Sequence, residues 1–466
     1  GEDQAKQQVA NQTAMIDMQG GTLNINGSAS NSVTMTAGGT DNGDTLTNVF
    51  GILAHGGGEV SVGGCTFNIN GNYSAGVLSY DGTINLNDNT VINVTETHPE
   101  SQLTSAGVSS ERDTSTTSSS AEPHPINMKG NVTITSNGLG ITARGMINVQ
   151  CGTTTVKTEV TVTTENATGI VVSGDADETN GEQQAKLTVK DATLSVESTI
   201  NSSLKWVKAP GHEGTGDTNV NNGIYVENGS TDASAGTLNV THTGVAGDAP
   251  ANSTTDAATK SYAVFVKGNA EGGSQNTTVS IGAGTITGTN AGGVYVVGTS
   301  KQDGEQTTYT ATVTLGGVNV TAQNTYAAGI LTETGNVIIN GNASITSSAL
   351  GIAVINGNVG IGLNNQNVSA SVKATRATGI YVQGGTVTNS GELEVTSTIS
   401  SSWDNEGADF DNASFKTSRF NGIFVNGGSL NSTGTLTVTH TGVENDVTGI
   451  YDENSGYTQT DADKLY

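Results

Sequence analysis

Apolar and polar residues alternate along this chain in short runs, and the runs return in a fixed frame. The clearest copy is Gly379-Ile380-Tyr381-Val382-Gln383-Gly384-Gly385-Thr386-Val387. It reads as a short strand with Ile380 and Val382 pointing inward, a Gly-Gly corner, and a second strand. Near-copies begin at Gly422 (Gly-Ile-Phe-Val), Gly223 (Gly-Ile-Tyr-Val), Gly169 (Gly-Ile-Val-Val), Gly293 (Gly-Val-Tyr-Val) and Gly351 (Gly-Ile-Ala-Val). Looser ones begin at Gly51, Gly76, Gly107, Gly140, Ala263, Gly329 and Gly449, and the stretch from Ala14 to Leu23 fits the same frame. Self-similarity at a fixed short period marks a solenoid, here of about fourteen coils.

Each coil predicts three strands. The first is Gly-Ile-x-Val, the second is short (Gly385-Thr386-Val387-Thr388), and the third is longest (Glu392 to Thr398), with Thr on the solvent side. Gly51 to Gly76 is 25 residues, Gly329 to Gly351 is 22 and Gly351 to Gly379 is 28. Hydrogen bonding only between successive coils makes this an all-β parallel β-helix, right-handed by the preference of parallel crossovers. At ~4.8 Å per coil, fourteen coils make a rod of roughly 65 Å. Asn and Gly in Asn68-Ile69-Asn70-Gly71 and Ile339-Asn340-Gly341-Asn342 are read as corners, where both residues tolerate left-handed backbone, with stacked Asn side chains bonding along them.

The frame spans residues 1–466 as one β-helix domain. Longer periods come from insertions at 97–125, 200–221, 244–261 and 397–420. Most fall between a third strand and the next Gly-Ile, so they project from one edge; the Ser/Thr-rich stretch from Ser109 to Pro125 follows a first strand instead and reads as a solvated loop. A larger repeat lies above the small one. Ala167-Thr168-Gly169-Ile170 matches Ala377-Thr378-Gly379-Ile380, Ser198-Thr199-Ile200 before Trp206 matches Ser397-Thr398-Ile399 before Trp403, and Leu238 to Val245 matches Leu436 to Val443. The duplicated four-coil blocks cover about 130–266 and 341–455, roughly six coils apart.

Composition changes the picture in several ways. The low hydrophobic fraction of 33% would suggest disorder, but the strict alternation of Thr435-Leu436-Thr437-Val438-Thr439 argues for strands. Net charge is 17 − 43 = −26, and no basic stripe is present, so nucleic acid and anionic membrane surfaces are poor partners. No run of eighteen apolar residues exists, so this segment is not expected to insert in a bilayer as a helix. The chain opens on Gly1, which reads as a mature or excised fragment. Cys65 and Cys151 are too few for a disulfide framework or a zinc motif. Their coils lie three apart, about 14 Å, beyond disulfide reach.

The recurrent Ala-x-Gly-Ile (Ala167 to Ile170, Ala327 to Ile330), the Asn-Gly corners and the strand-loop-strand units resemble, over nearly the whole chain, the β-helical passenger domains of Gram-negative autotransporter adhesins. The resemblance is architectural and carries no catalytic motif. It implies an exported, surface-displayed rod that mediates attachment or aggregation in the extracellular space. Such proteins end in a membrane β-barrel; Thr458 to Tyr466 is polar and lacks alternating strands. Either the barrel is separated from this segment or the chain is another secreted β-helix.

The candidate ligand-binding residues are Trp206, Lys205 and His212 in one insertion and Trp403, Asp404, Phe415 and Arg419 in another. Aromatic rings beside hydrogen-bonding charges stack on a sugar or anchor a protein contact; the alternative is that each Trp folds back over its own coil. The partner is then a host or bacterial surface glycan or protein, or a second copy in self-association. Asp404, Glu406, Asp409 and Asp411 read as a solvated acidic loop rather than a glycosidase pair or calcium site, and Asp41-Asn42-Gly43-Asp44 is a weak calcium candidate. A polysaccharide lyase would want a basic residue near an acidic sugar, and Arg112, Arg144, Arg376 and Arg419 occupy no matched positions in the two blocks. His242 and His440 sit at matched Thr-His-Thr sites and read as surface residues. Thr-x-Thr pairs such as Thr285-Ile286-Thr287 invite comparison with ice-binding solenoids, against which the irregular coil lengths speak. No catalytic residue, metal or cofactor is predicted. The alternatives to a non-enzymatic adhesin are a secreted polysaccharide-binding or polysaccharide-cleaving β-helix and a trimeric fibre.

Overall fold

A computed structural model describes residues 13–28, 32–38, 40–41, 44–45, 48–80, 82–97, 104–111, 125–150, 158–174, 185–200, 206–207, 218–219, 222–245, 261–268, 276–298, 300–303, 306–309, 311–323, 328–363, 365–375, 377–398 and 421–441, with backbone alone at 13, 40–41, 44–45, 206–207, 218–219, 300–303 and 306–309. Every long-range strand pair is parallel and joins one coil to the next. One sheet has 13 strands, a single strand per coil, from Thr13–Met18 through Ile380–Val382 to Ile423–Val425. The facing sheet has 22 strands and takes the second and third strand of each coil. The described residues hold no helix. The fold is therefore a parallel β-helix of thirteen described coils; the coil predicted at Gly449 lies outside the described residues.

In four consecutive coils the second and third strands are one continuous strand: Ala185–Thr199, Gly229–Thr243, Thr277–Thr289 and Ala311–Gln323. The predicted corner between them is there reduced to a bulge, visible as register shifts between Thr188 and Thr193 and between Ala233 and Thr237. Elsewhere the three-strand coil holds, as in Ile380–Val382, Thr386–Asn389 and Glu392–Thr398.

The interior is a stack of aliphatic columns. Ile380 pairs with Ile352 on one side and Ile423 on the other, and Val382 with Val354 and Val425. Ile380 is fully buried. Burial of each such side chain contributes roughly 1.5–3 kcal/mol, and the column repeats that gain coil after coil.

The glycine before each Ile has a steric cause. At this point the first strand passes hard against the third strand of its own coil. A Cβ on Gly140 would lie 2.3 Å from Val162 Cγ1, on Gly169 2.3 Å from Val196 Cγ1, and on Gly351 2.4 Å from Val372 Cγ1. Close backbone approach, rather than a left-handed conformation, favours glycine at these positions; Ala263, beside Gly223 in the same column, is an exception.

The residue between Ile and Val faces the other side of the one-strand sheet, and that side is buried too. Tyr225, Phe265 and Tyr295 pair in register along it. Tyr225 and Phe265 meet edge-on with centroids 5.4 Å apart, and Phe265 and Tyr295 stack at 4.8 Å. Tyr381 stacks on Phe424 at 5.8 Å. With Leu331, Ala353 and Leu350 these rings form a second apolar cluster, separate from the tube's core. Two-sided burial explains why x in Gly-Ile-x-Val is so often Tyr or Phe.

Asparagine plays two distinct parts. Asn48, Asn166 and Asn290 adopt left-handed backbone (φ 54°, 62° and 53°) at the turn into the next coil. Asn68, read from sequence as a corner residue, instead lies inside the strand Cys65–Gly71 and accepts a hydrogen bond from Asn93 Nδ2 at 2.9 Å. Asn148 donates to Asn127 at 3.1 Å, and Asn127 to Asn85 at 3.0 Å. The amide ladders thus run on the strand faces, not along the corners, because in-register strands bring like side chains within bonding distance.

Candidate binding edge and the duplicated histidine corner

Insertions leave the coil at both ends of the one-strand sheet. The turn from third to first strand is short in some coils, as between Ser136 and Leu139, and long between Glu96 and Ala106, Thr199 and Asn222, Thr243 and Tyr262, and Thr398 and Ile423. The opposite turn carries more than the one insertion expected from sequence. Besides 111–125 it lengthens between Ser173 and Ala185 and between Lys267 and Thr277, and between Val297 and Ala311 it holds the antiparallel hairpin Ser300–Asp303 with Gln306–Tyr309.

Of the predicted ligand-binding residues, Trp206 has described backbone. It opens the two-residue strand Trp206–Val207, which pairs antiparallel with Thr218–Asn219, Trp206 opposite Asn219. The insertion is thereby closed at its base as a hairpin rooted in the sixth coil. Lys205, His212, Trp403, Asp404, Phe415 and Arg419 lie outside the described residues, as do the other acidic positions of the second insertion. Asp41 and Asp44 face each other across a two-residue hairpin. Among the described residues no three His, Cys, Asp or Glu side chains gather where a metal ion could be held.

Beneath two of these insertions lies a polar corner that recurs with the duplicated block. His242 pairs in register with Ser198 and His440 with Ser397. Ser198 Oγ is 2.7 Å from His242 Nδ1, and Ser397 Oγ is 2.6 Å from His440 Nδ1. Each serine also reaches the carbonyl that opens the next first strand: Ser198 to Asn222 O at 3.4 Å, Ser397 to Asn421 O at 3.2 Å. The N–H groups of Asn222 and Asn421 donate to Thr168 Oγ1 and Thr378 Oγ1 at 3.2 and 3.4 Å. In the first copy His242 Nε2 lies 2.7 Å from Ser261 Oγ, and Asn222 Oδ1 accepts from Tyr262 N at 3.1 Å.

The reading of these histidines as surface residues is therefore wrong. His242 is 0% exposed, and His440 is half-buried. Their strand position points inward, in a column with Thr164, Ser198, Gly288, Ala322 and Ser347. Burial holds the His440 imidazole below its ordinary pKa, because the charged form loses hydration. Ser198 and Ser397 were visible in sequence as matched members of the two blocks. What spacing could not reveal is that each lies directly under its histidine one coil on.

Charge on the buried outer face is paired. Lys267 Nζ lies 2.7 Å from Glu227 Oε1, and Tyr225 donates its hydroxyl to Glu227 Oε2 at 2.5 Å. Burial, reinforced by the Glu227 charge, pushes the Tyr225 phenol well above its usual range, so it stays a donor. Arg144, weighed from sequence as a possible sugar contact, is tied to the buried Glu111 carboxylate at 3.1 Å. A shallow polar groove of about 620 Å³ lies at the turns between second and third strands, lined by Gln366, Asn367, Glu392, Thr433 and Thr435 among others, away from the insertion-bearing turns.

The fold and the edge define a repeat protein of the parallel β-helix class. Comparison with models of protein families, with curated proteins and with solved structures finds no match to this chain.

Proposed function

We propose that this chain is a non-enzymatic adhesin of the extracellular space, in which a β-helical rod presents insertions to a surface glycan or surface protein. The observation that carries the reading is the placement of the variable segments. In-register coils keep the same backbone path, yet the turns at both ends of the one-strand sheet lengthen repeatedly while most described turns from second to third strand stay tight. A rigid scaffold with diverged loops at equivalent positions suits display of contact residues more than a single catalytic centre. The two Trp-bearing insertions belong to coils six steps apart along the stack, roughly 29 Å at ~4.8 Å per step. That span suits an extended partner better than one small ligand. The net charge of −26 favours neutral or cationic partners. The resemblance to autotransporter passengers agrees with export and display, by analogy of architecture.

A panel of plant, host and bacterial glycans, assayed for both binding and product release, tests the reading. Binding without turnover supports it. Release of shortened glycans would replace it with a polysaccharide-cleaving β-helix.

A further inference from the structure

One feature of the first histidine corner is missing from the second. His242 has a hydroxyl at each ring nitrogen: Ser198 Oγ at Nδ1 and Ser261 Oγ at Nε2, both at 2.7 Å. His440 has the serine at Nδ1, but the position that corresponds to Ser261, two residues before the next first-strand Gly or Ala, is Val447 in the sequence. The Ser–His pair thus belongs to the scaffold, and Ser261 is an addition of the first copy.

We propose that Ser261 is a nucleophilic serine, with His242 as its general base, that accepts an acyl group from a small ester. A nucleophile within hydrogen-bond reach of a base, with the base oriented by a third group, is the arrangement that activates a hydroxyl. The proposal requires one tautomer: Ser198 Oγ–H donates to Asn222 O, and Ser198 Oγ accepts Nδ1–H from His242. Nε2 then carries the lone pair and takes the proton of Ser261. The Ser261 main chain is pinned: its carbonyl accepts from Gly292 N at 3.0 Å, and the next N–H donates to Asn222 Oδ1 at 3.1 Å. Ser261 itself is half-buried, while His242 is fully enclosed. Gly244 borders the hydroxyl without a side chain; a Cβ there would stand 3.0 Å from Ser261 Oγ.

In the step, Ser261 Oγ attacks the ester carbonyl carbon as His242 Nε2 takes the hydroxyl proton. The tetrahedral adduct then breaks its bond to the alcohol oxygen, which leaves with the proton from Nε2. The products are acyl-Ser261 and the free alcohol. Ser261 is on this account the acyl acceptor, and acyl-Ser261 is the species that the mass measurement reads.

The test is to incubate the whole chain with p-nitrophenyl acetate and, separately, with a fluorophosphonate, and to read intact mass and labelled peptides. The expected result is one adduct per chain, on Ser261. Ser261→Ala should abolish it at an unchanged melting temperature. His242→Gln should slow it on the order of 10²-fold, the scale of general-base assistance. Ser198→Ala should slow it as well, and Ser198→Thr should restore the rate. Labelling that falls only on lysines, or that proceeds equally fast in His242→Gln, or that is absent from the native chain, would overturn the proposal. None of these outcomes depends on His242→Gln folding, because the Ser261→Ala and wild-type arms decide it alone.

Discussion

Gly379 stands opposite Val395 within one coil, so close that a Cβ on the glycine would come within 2.4 Å of Val395 Cγ1 and 2.7 Å of Gly422 O. Backbone on one side and a β-branched side chain on the other leave nothing to yield. Gly379→Ala should therefore destabilise the rod by about 1–3 kcal/mol, the usual cost of overpacking. Gly317→Ala is the control: the nearest atoms to its Cβ would be Gly282 O at 3.7 Å and Asn342 O at 4.0 Å. It should stay within about 0.5 kcal/mol of the parent in urea denaturation. Equal losses from both variants would show that the glycine column is not a packing requirement.

The aliphatic column makes a second prediction. Ile380, fully enclosed between Ile352 and Ile423, should cost about 2–5 kcal/mol when truncated to Ala. Ile380→Asp should cost more, since a carboxylate in the tube has neither water nor a partner. Hydrogen exchange should show the damage concentrated in the neighbouring coils, because each coil contacts only the next.

Acid should loosen the second histidine corner. The folded pKa of His440 lies below the ordinary value of 6.5, through burial. The unfolded chain therefore binds a proton first as pH falls. His440 leaves stability untouched well above pH 6.5, and stability declines as pH drops from 6.5 through the lowered folded value. His440→Gln should flatten that part of a melting-temperature profile against pH. An unchanged slope between wild type and variant would contradict the burial seen for the ring.

Cys65 should behave as an inert thiol. It is fully buried, donates its S–H to Gly63 O at 3.3 Å, and forms no disulfide. Burial raises its pKa, which lowers the thiolate fraction at neutral pH. Native protein should leave Cys65 unlabelled by a thiol reagent, and denatured protein should label it without prior reduction.

Much of the fold was legible because alternation with a short period leaves few options. The Gly-Ile frame located every first strand that the structure describes, including the loose copies at Gly107 and Gly140. Three things escaped. Fusion of second and third strands, as in Gly229–Thr243, depends on how the backbone bends, and Gly and Ala there fit a bulge as well as a corner. The buried outer face escaped because alternation marks two faces without saying which of them meets water; Ile380 and Val382 are legible as inward, whereas the burial of Tyr225 and Tyr295 on the opposite face is not. His242 escaped for the related reason that a polar residue inside a Thr-rich strand looks solvent-facing until its partner one coil below, Ser198, is placed by register. The candidate edge was legible as inserted length, whereas the polar network beneath it is a property of stacking.

The Trp-bearing edge is tested most directly by one measurement: cell attachment or aggregation mediated by the chain with both Trp206→Ala and Trp403→Ala, beside thermal melts of the same protein. Trp206 sits at the base of an antiparallel hairpin outside the stacked sheets, paired there with Asn219. Removing rings that serve as binding anchors should reduce adhesion at least about tenfold, as for loss of an interface hot spot worth ~1.4 kcal/mol or more, while the melting temperature stays within about 2 °C of the parent. Undiminished adhesion at unchanged stability would contradict the claim that this edge makes the contact.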